Sequence, residues 1–339
     1  MRKRIAAVLL SLSVLCSSVA TNELLAAADS PAVEPVYVSE GGTGDGSSID
    51  SPKDFNEAMT AAADGDVFSI VGTVNLPLAW ESPEADVTIT GQGAGQSVLM
   101  MRPGGTGTGD QASILLQGGL TLDNLTLDVK REGKYGNLYV IAANGHPLVF
   151  QSGLRTSDDT STYSGRIYGG GYQEDITGDT HIENHGTLLV TDIYGGGLSA
   201  DVTGNTYIKH TGYVQAIYGG GGSAYGCDGA YVSENTAIEV IGGGLSGRKQ
   251  SIYGGGSSSS GGDTNVGGNV TITVDSAALG GKQFDPKIHG AGLASSSGEA
   301  NVAGNVSITV KNTNMAGNNA SVYGGGTGYF STSRDPKTA

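Results

Sequence analysis

The stretch Ile167-Tyr168-Gly169-Gly170-Gly171 decides the fold, because it recurs along the second half of the chain. The same residue types return at 193–197, 217–221 and 252–256, and variants stand at 288–292 and 322–326. A second phrase of the type Val-Thr-Gly-Asn-Thr follows the first five copies, at 176–180, 202–206, 232–236, 266–270 and 302–306. Two strand-like phrases that recur together are typical of a β-solenoid, in which one repeat forms one coil. The sequence therefore predicts an all-β chain of stacked parallel coils.

Alignment of the second phrase produces two columns of different chemistry. We expect an apolar column in the interior of the coils, with the residues Ile182, Ile208, Ile238, Ile272 and Ile308. A structural ladder is expected beside a turn, with the residues Asp179, Asn205, Asn235, Asn269 and Asn305. Neighbouring strands lie about 4.8 Å apart, so side-chain amides can hydrogen-bond along this ladder. Asparagine also tolerates the left-handed backbone of a tight bend.

The second residue of the first phrase forms an aromatic column of six residues. Its members are Tyr168, Tyr194, Tyr218, Tyr253, His289 and Tyr323. If the preceding isoleucine points inward, strand alternation turns this column outward. We then expect an exposed row of rings, left open by the glycines, that could bind sugars by stacking. The alternative, which the regularity favours, is an aromatic ladder that stacks on itself and stiffens the coil.

The spacing between copies of the first phrase predicts side loops. Successive copies are 26, 24, 35, 36 and 34 residues apart, so the later coils need extra residues. We expect these residues to form loops at 223–229, 242–250, 257–263, 278–286 and 294–299. Insertions that cluster on one face of a solenoid can build a binding surface.

The first 28 residues are predicted to be a signal peptide. Arg2, Lys3 and Arg4 precede an apolar run at 5–15 that is too short to span a bilayer comfortably. Small-residue cleavage sites follow at 18–20 or 26–28. A membrane anchor is the alternative interpretation of this segment. We expect a secreted or cell-surface protein with no membrane span in its mature chain.

The net charge of the chain argues against some classes of binding partner. The chain of 339 residues has a net charge of −15, and loss of the signal peptide would make it more negative. Such a chain is repelled by nucleic acid and by anionic membrane surfaces, so we expect an extracellular glycan or surface protein as the partner. Only Cys227 would remain after processing, which excludes an internal disulfide. The glycines are phased against apolar residues, which a flexible linker does not require.

The remaining chain is predicted to contain four segments. They are a spacer at 29–35, a cap with the first coils at 36–165, the repeat coils at 166–326, and a polar tail at 327–339 that resembles a truncated repeat. Within the second segment, residues 152–165 are polar and predict a loop.

A short helix is expected before the first coil. Ser51 and Pro52 have the types favoured at the N-cap and at the first helical position. Phe55, Ala58 and Met59 then fall on one face at helical spacing. An amphipathic helix at this point would cover the open end of the coil stack, where exposed strand edges would otherwise invite aggregation.

Catalytic and metal-binding patterns are scarce. Asp158-Asp159 is the one acidic pair of note, and it lies in a Ser/Thr-rich segment. His181 and His185 are four residues apart in a strand-like segment, where they need not share a site. No metal-ligand or triad spacing relates the five histidines, which are His146, His181, His185, His210 and His289. We therefore expect no catalytic site, no metal site and no cofactor, with calcium as the alternative because glycine-rich fragments such as 41–45 are similar to calcium-binding repeats.

The chain resembles a known family. Tyr37-Val38-Ser39, the segments 51–55 and 65–67, and Leu-Thr-Leu-Asp-Asn-Leu-Thr-Leu at 120–127 are similar to the start of pectin-lyase-like right-handed parallel β-helix proteins. The Tyr-Gly-Gly-Gly and Gly-Asn-Thr/Val repeats resemble those of adhesin-like surface proteins exported by gut bacteria. The resemblance implies a right-handed parallel β-helix, and the handedness rests on it alone.

The same resemblance raises an enzymatic alternative. The family includes enzymes that cut acidic polysaccharides, and Asp158-Asp159 matches one of the polygalacturonase-type motifs. The other motifs of that type are missing, and the lyase pattern Trp-Ile-Asp-His is absent, since the single tryptophan is Trp80. We therefore predict a non-catalytic, exported, adhesin-like β-helix that binds a glycan or protein through its loops and the aromatic column. The alternatives are a polysaccharide lyase or glycoside hydrolase of this fold, and a structural stalk.

Overall fold

The computed structural model describes residues 33–93, 95–101, 112–128, 139–157, 165–189, 191–223, 229–246, 249–258, 262–280, 285–295, 298–317 and 319–328. The predicted signal peptide, Asp158-Asp159, Cys227 and most of the predicted spacer and tail lie outside these residues. From Pro35 onward the described residues belong to one compact unit. No helix among them is long and apolar enough to cross a membrane.

The described residues form short strands and one helix, α1 (Phe55–Thr60). Before the Ile-Tyr-Gly-Gly-Gly repeats the strands are β1 (Val36–Ser39), β2 (Lys53–Asp54), β3 (Val67–Ile70), β4 (Thr73–Asn75), β5 (Ala79–Glu81), β6 (Val87–Gly91), β7 (Val98–Met100), β8 (Ser113–Leu115), β9 (Leu120–Leu122), β10 (Thr126–Asp128), β11 (Val140–Ala142), β12 (Leu148–Phe150) and β13 (Arg155–Thr156). From the first repeat onward they are β14 (Gly165–Tyr168), β15 (Thr180–Asn184), β16 (Thr191–Tyr194), β17 (Thr206–His210), β18 (Tyr213–Val214), β19 (Ala216–Tyr218), β20 (Thr236–Ile241), β21 (Gly244–Leu245), β22 (Ser251–Tyr253), β23 (Val270–Asp275), β24 (Ala278–Gly280), β25 (Lys287–His289), β26 (Leu293–Ala294), β27 (Val306–Lys311), β28 (Asn314–Ala316), β29 (Ser321–Tyr323) and β30 (Thr327–Gly328).

These strands stack into a parallel β-helix, as the repeats predict. Sheet 1 has eleven strands in the order β2-β1-β3-β6-β9-β12-β15-β17-β20-β23-β27, and sheet 3 has nine in the order β5-β8-β11-β14-β16-β19-β22-β25-β29. Sheet 2 consists of two four-stranded groups, β4-β7-β10-β13 and β18-β21-β24-β28, which the bridges of Thr187 to Arg155 and to Tyr213 connect. The chain visits sheets 1, 2 and 3 in turn, with only the bridge of Thr187 representing sheet 2 between β15 and β16. The strands β26 and β30 form a further two-stranded sheet, and the strand pairs of the described residues are all parallel.

The predicted interior column lies in sheet 1. Ile182, Ile208 and Ile238 are direct partners in neighbouring strands, and the register continues through Ile272 to Ile308. The first four are fully buried, whereas Ile308 is half-buried because it lies in the last described coil. Burial of each such side chain stabilises the folded state by about 1.5–3 kcal/mol, so the column contributes to the stability of every coil that it passes through.

The helix begins later than Ser51 and Pro52 predict. Residues Lys53–Asp54 form β2 beside β1, and this pairing keeps the segment extended. The N-cap is Asp54, whose carboxylate accepts the backbone N–H of Glu57 at 3.0 Å. Phe55, Ala58 and Met59 are buried, and the Phe55 ring lies 6.1 Å from that of Trp80. The position before the first coils and the apolar face agree with the predicted capping helix.

The two repeated phrases occur together because they touch in neighbouring coils. The hydroxyl of Thr180 donates to the carbonyl of Gly195 at 2.7 Å, and Thr206 repeats the contact with Gly219 at 2.6 Å. A Cβ added at Gly195 would meet the carbonyl of Gly219 and the Cβ of Thr206. A threonine in one phrase therefore requires a glycine in the other.

Two predicted loops and the polar segment 152–165 contain strands. Sheet 2 uses β13 in the polar segment, β21 within 242–250 and β24 within 278–286. These strands are two or three residues long, too short to show alternation in the sequence. Leu245 and Leu279 are nevertheless buried in the core, which explains why these segments return to the coil instead of projecting from it.

Candidate functional site: a polar patch on the outer face of sheet 1

The aromatic column is buried, so the expectation of an exposed row of rings is wrong for five of its six members. The exposed fraction is between 0% and 5% for Tyr168, Tyr194, Tyr218, Tyr253 and His289, while Tyr323 in the last described coil is 46% exposed. The rings stack on one another with centroids 4.4 to 4.9 Å apart. Their faces are occupied by neighbouring rings and cannot receive a sugar inside the column.

The chain itself covers these rings. Strand alternation does turn the tyrosines to the outer side of sheet 3, as predicted, but the glycine triplets let the chain fold back over that side. A ladder of parallel bridges then runs from Tyr172 through Leu198 and Gly222. A Cβ on Gly222 would lie 3.2 Å from the rings of Tyr168 and Tyr194, so the covering backbone is in direct contact with the column. Parallel sheets are usually covered on both faces, and here the repeat supplies its own cover.

The predicted Asp/Asn ladder lies at the turn before sheet 1. The Nδ2 group of Asn205 donates to Oδ1 of Asp179 at 3.0 Å, and Asn235 donates in the same way to Asn205 at 2.9 Å. Asn269 continues the ladder, and each side-chain oxygen also accepts the backbone N–H of the next coil, through to Asn305. The bonds from Asn205 lower the pKa of Asp179 below its usual range. The ladder therefore has a structural role, because its side chains bond to one another and to the backbone of the next coil.

A cluster of polar side chains on the outer face of sheet 1 is the candidate functional site. We call it the sheet-1 patch, and it consists of His181, Glu183, His185, Tyr207, Lys209 and Glu239. In register, His181 lies beside Tyr207, while Glu183, Lys209 and Glu239 occupy one row across β15, β17 and β20. The alternating isoleucines between them point into the core, so strand period fixes the outward direction of the patch.

Glu183 is the centre of the patch. Its carboxylate accepts hydrogen bonds from Nε2 of His181 at 2.9 Å, Nε2 of His185 at 3.1 Å and Nζ of Lys209 at 3.2 Å. His185 also contacts the hydroxyl of Thr211 through Nδ1 at 2.7 Å. The two histidines, which were not expected to share a site, therefore contact one carboxylate.

The aromatic part of the patch lies next to this carboxylate. The rings of His181 and Tyr207 are 5.0 Å apart and tilted by 44°. The Tyr207 hydroxyl donates to Oε2 of Glu239 at 2.9 Å in the next coil. The network thus joins three consecutive coils and holds the side chains in fixed positions.

The patch departs from the repeat, and this distinguishes it from the other ladders. The row that contains Glu183, Lys209 and Glu239 has short side chains in the other coils, namely Thr88, Thr121, Val149, Thr273 and Thr309. The Asn ladder, by contrast, runs through five consecutive coils, from Asp179 to Asn305. Exposed ion pairs contribute about 0–1 kcal/mol, so stability gives little reason to concentrate these charges in three coils.

Hydrogen bonds and burial set the protonation states of two residues of the patch. The hydrogen bond from His181 is the main cause that lowers the pKa of Glu183 to about 2, with further contributions from Lys209 and His185. Burial, followed by the hydrogen bond to Glu239, raises the pKa of Tyr207 to about 12. At neutral pH, Glu183 is therefore an acceptor and Tyr207 a neutral hydroxyl that can donate a hydrogen bond.

The sequence contained a signal for this patch that the search for known motifs missed. His181-Ile182-Glu183 and Tyr207-Ile208-Lys209 occupy the positions at which later coils have Thr271-Ile272-Thr273 and Ser307-Ile308-Thr309. Comparing the outward positions of aligned repeats, and not their shared residues, would have identified it. Strand period two also puts residues 181, 183 and 185 on one side.

A groove elsewhere on the coils has a structural explanation. An open groove of about 640 Å³ lies beside the turns that precede the Asn ladder, and its lining includes Asp175, Asp201 and Asp263. Oδ1 of Asp175 accepts the backbone N–H of Asp201 at 2.7 Å, and Oδ1 of Asp201 accepts that of Tyr231 at 2.7 Å. These carboxylates satisfy the backbone of the next coil, which accounts for their regular recurrence.

The buried carboxylate of Asp192 is also accounted for within the fold. Asp192 is fully buried on sheet 3, where it pairs with the amine of Lys249 and accepts Nε2 of Gln215 at 3.1 Å. A buried charge requires such partners, since burial without them is costly.

Neither the remaining site predictions nor the comparisons add a second centre. Asp45, in the fragment 41–45, accepts hydrogen bonds from Ser47 and Ser51 and so closes its own loop. In the part of the chain that the structure describes, no three His, Cys, Asp or Glu side chains are grouped so as to hold a metal ion. Comparisons with protein-family models, with curated proteins and with solved structures found no match.

Proposed function

We propose that this protein is an exported, non-catalytic, adhesin-like β-helix that binds an extracellular glycan through the sheet-1 patch. The main support is that the outward-facing residues of three consecutive coils differ from those of the other coils, while the strand register continues unchanged. The pectin-lyase-like and adhesin-like resemblances and the predicted signal peptide support export and a surface role. The rigid stack of coils would present the patch away from its point of attachment.

The chemistry of the patch favours a glycan over a protein partner. Sugars are recognised by aromatic rings together with a few well-placed polar groups, and the patch combines Tyr207 and His181 with the carboxylates of Glu183 and Glu239. Stable protein interfaces bury about 800 Å² per partner and usually have an apolar centre. Charged side chains occupy the centre of this patch instead.

The test is direct binding to immobilised glycans by the chain from residue 29 onward and by two double variants. Tyr207→Ala with Lys209→Ala removes the ring and the cation of the patch. Thr271→Ala with Thr273→Ala is the matched control, because these residues occupy the corresponding outward positions of β23. Circular dichroism establishes that each variant is folded.

We expect the patch variant to lose at least tenfold in affinity, since one stacking contact and one charged hydrogen bond together account for that much. The control variant should bind like the wild type. Equal affinity of the patch variant and the wild type would contradict the proposal, as would binding to a protein partner alone. Release of reducing or unsaturated ends from any polysaccharide would replace it with the lyase or hydrolase alternative.

A further inference from the structure

We infer that the sheet-1 patch recognises an uncharged glycan and discriminates against polyanionic ones. This inference rests on the proposed function and adds the class of ligand. It starts from the fixed charges of the patch: two carboxylates, Glu183 and Glu239, surround one amine, Lys209. That amine already contacts Glu183 at 3.2 Å, which offsets its charge, although its other N–H groups can still donate to a ligand hydroxyl.

The net negative charge of the chain also disfavours polyanionic ligands. The chain carries 33 acidic and 18 basic residues, so its net potential repels a uronate or sulfate polymer before contact. Among the residues of the patch, Tyr207 lies close enough to both carboxylates for each to raise its pKa, after the larger effects of burial and of the hydrogen bond to Glu239. A ligand carboxylate beside this ring would meet two like charges.

The free hydrogen-bonding capacity suits hydroxyl groups. Oε2 of Glu239 accepts the Tyr207 hydroxyl, and the carboxylate retains lone pairs for further donors. Sugar hydroxyls supply such donors, whereas an ionised carboxylate or sulfate group in the same position supplies none and adds a like charge. Glu183 acts as a positioning residue, because it holds His181 and His185 on either side of itself.

The patch fits a short stretch of chain laid along the axis of the β-helix. It covers β15, β17 and β20, which at about 4.8 Å per strand gives a length of about 10 Å between the outer strands. The isoleucines beneath these positions are fully buried, so the platform is rigid and loses little entropy on binding.

The experiment compares polymers that share a backbone and differ in charge. Polygalacturonate and its fully methyl-esterified form are one pair, and β-1,4-linked mannan with β-1,4-linked polymannuronate is the second. The affinity of the chain from residue 29 onward is measured for each member at low and at high salt. Glu239→Gln removes one charge of the patch and keeps an acceptor, while Glu234→Gln removes an exposed charge at the turn and serves as the control.

We expect the uncharged member of each pair to bind at least tenfold more tightly at low salt, with a smaller difference at high salt because salt screens the repulsion. Glu239→Gln should raise the affinity for the charged member, and Glu234→Gln should not. Equal or tighter binding of the charged member would overturn this inference and leave the proposed function standing. Binding of no member, with other glycans also unbound, would overturn both.

Discussion

Replacement of Tyr218 by alanine should destabilise the protein strongly, because its ring lies in the middle of the buried column. Tyr218 is 1% exposed and stacks on Tyr194 at 4.4 Å and on Tyr253 at 4.9 Å, with both pairs within 5° of parallel. Truncation of a buried large aromatic side chain to alanine costs about 3–5 kcal/mol. About 1–3 kcal/mol of this belongs to the two stacked pairs. Domains have a total stability of about 5–15 kcal/mol, so the loss is a large fraction of it.

Urea unfolding followed by circular dichroism measures this loss. At a slope of about 3 kcal/mol per molar or more, the midpoint of Tyr218→Ala should fall by about 1 M. Tyr218→Phe is the matched control: it keeps the ring between its two neighbours, and its midpoint should fall by less than half as much. An alanine variant that unfolds at the wild-type midpoint would refute the buried ladder. If that variant also lost glycan binding, the ring would be a ligand contact instead.

Three further predictions concern the Asn ladder, the glycine triplets and His289 of the aromatic column. Asn235→Ala should lower the free energy of unfolding in urea by about 1–3 kcal/mol, because it leaves the backbone amide of Asn269 unpaired. Asn305→Ala, in the last described coil, should lower it by less, and equal losses would argue against the ladder. Gly219→Ala should abolish or strongly reduce the yield of folded protein, because its Cβ would meet the backbone of the next coil. Gly324→Ala has open space around it and should express normally, so similar yields of the two variants would contradict this prediction. Burial, with a smaller effect of a neighbouring lysine, lowers the pKa of His289 to about 4, so the unfolded chain protonates first and stability falls between about pH 6.5 and pH 4. His289→Tyr should reduce that fall in thermal unfolding measured across this range, and an unchanged pH dependence would show that His289 does not cause it.

The fold could be predicted because its causes are local and repeated. The isoleucines of the second phrase recur in one register. The first glycine of a triplet, such as Gly195 or Gly254, recurs where a Thr or Val side chain and a backbone carbonyl leave no room for a Cβ. The start of the helix could not be predicted in the same way. Asp54 became the N-cap because Lys53–Asp54 pair with β1, a tertiary contact that propensity at Ser51 does not reveal.

The candidate site could not be predicted for the same reason, because it depends on tertiary contacts. Alternation correctly predicted that Tyr194 leaves the core of the coil, but its burial depends on the chain that returns over it at Leu198 and Gly222. The sheet-1 patch was missed because the alignment drew attention to what the repeats share. Its contacts, such as those of Glu183 with three donors, require the register of neighbouring strands to be known.

The most direct test of the account is a tyrosine modification footprint with and without bound glycan. The folded chain is nitrated and the modified positions are identified by mass spectrometry of its peptides. We predict modification of the exposed Tyr213 and Tyr231, no modification of Tyr194 or Tyr218, and protection of Tyr207 when the glycan is present. Modification of Tyr194 and Tyr218 in the free protein, with protection by the glycan, would contradict both the buried column and the patch.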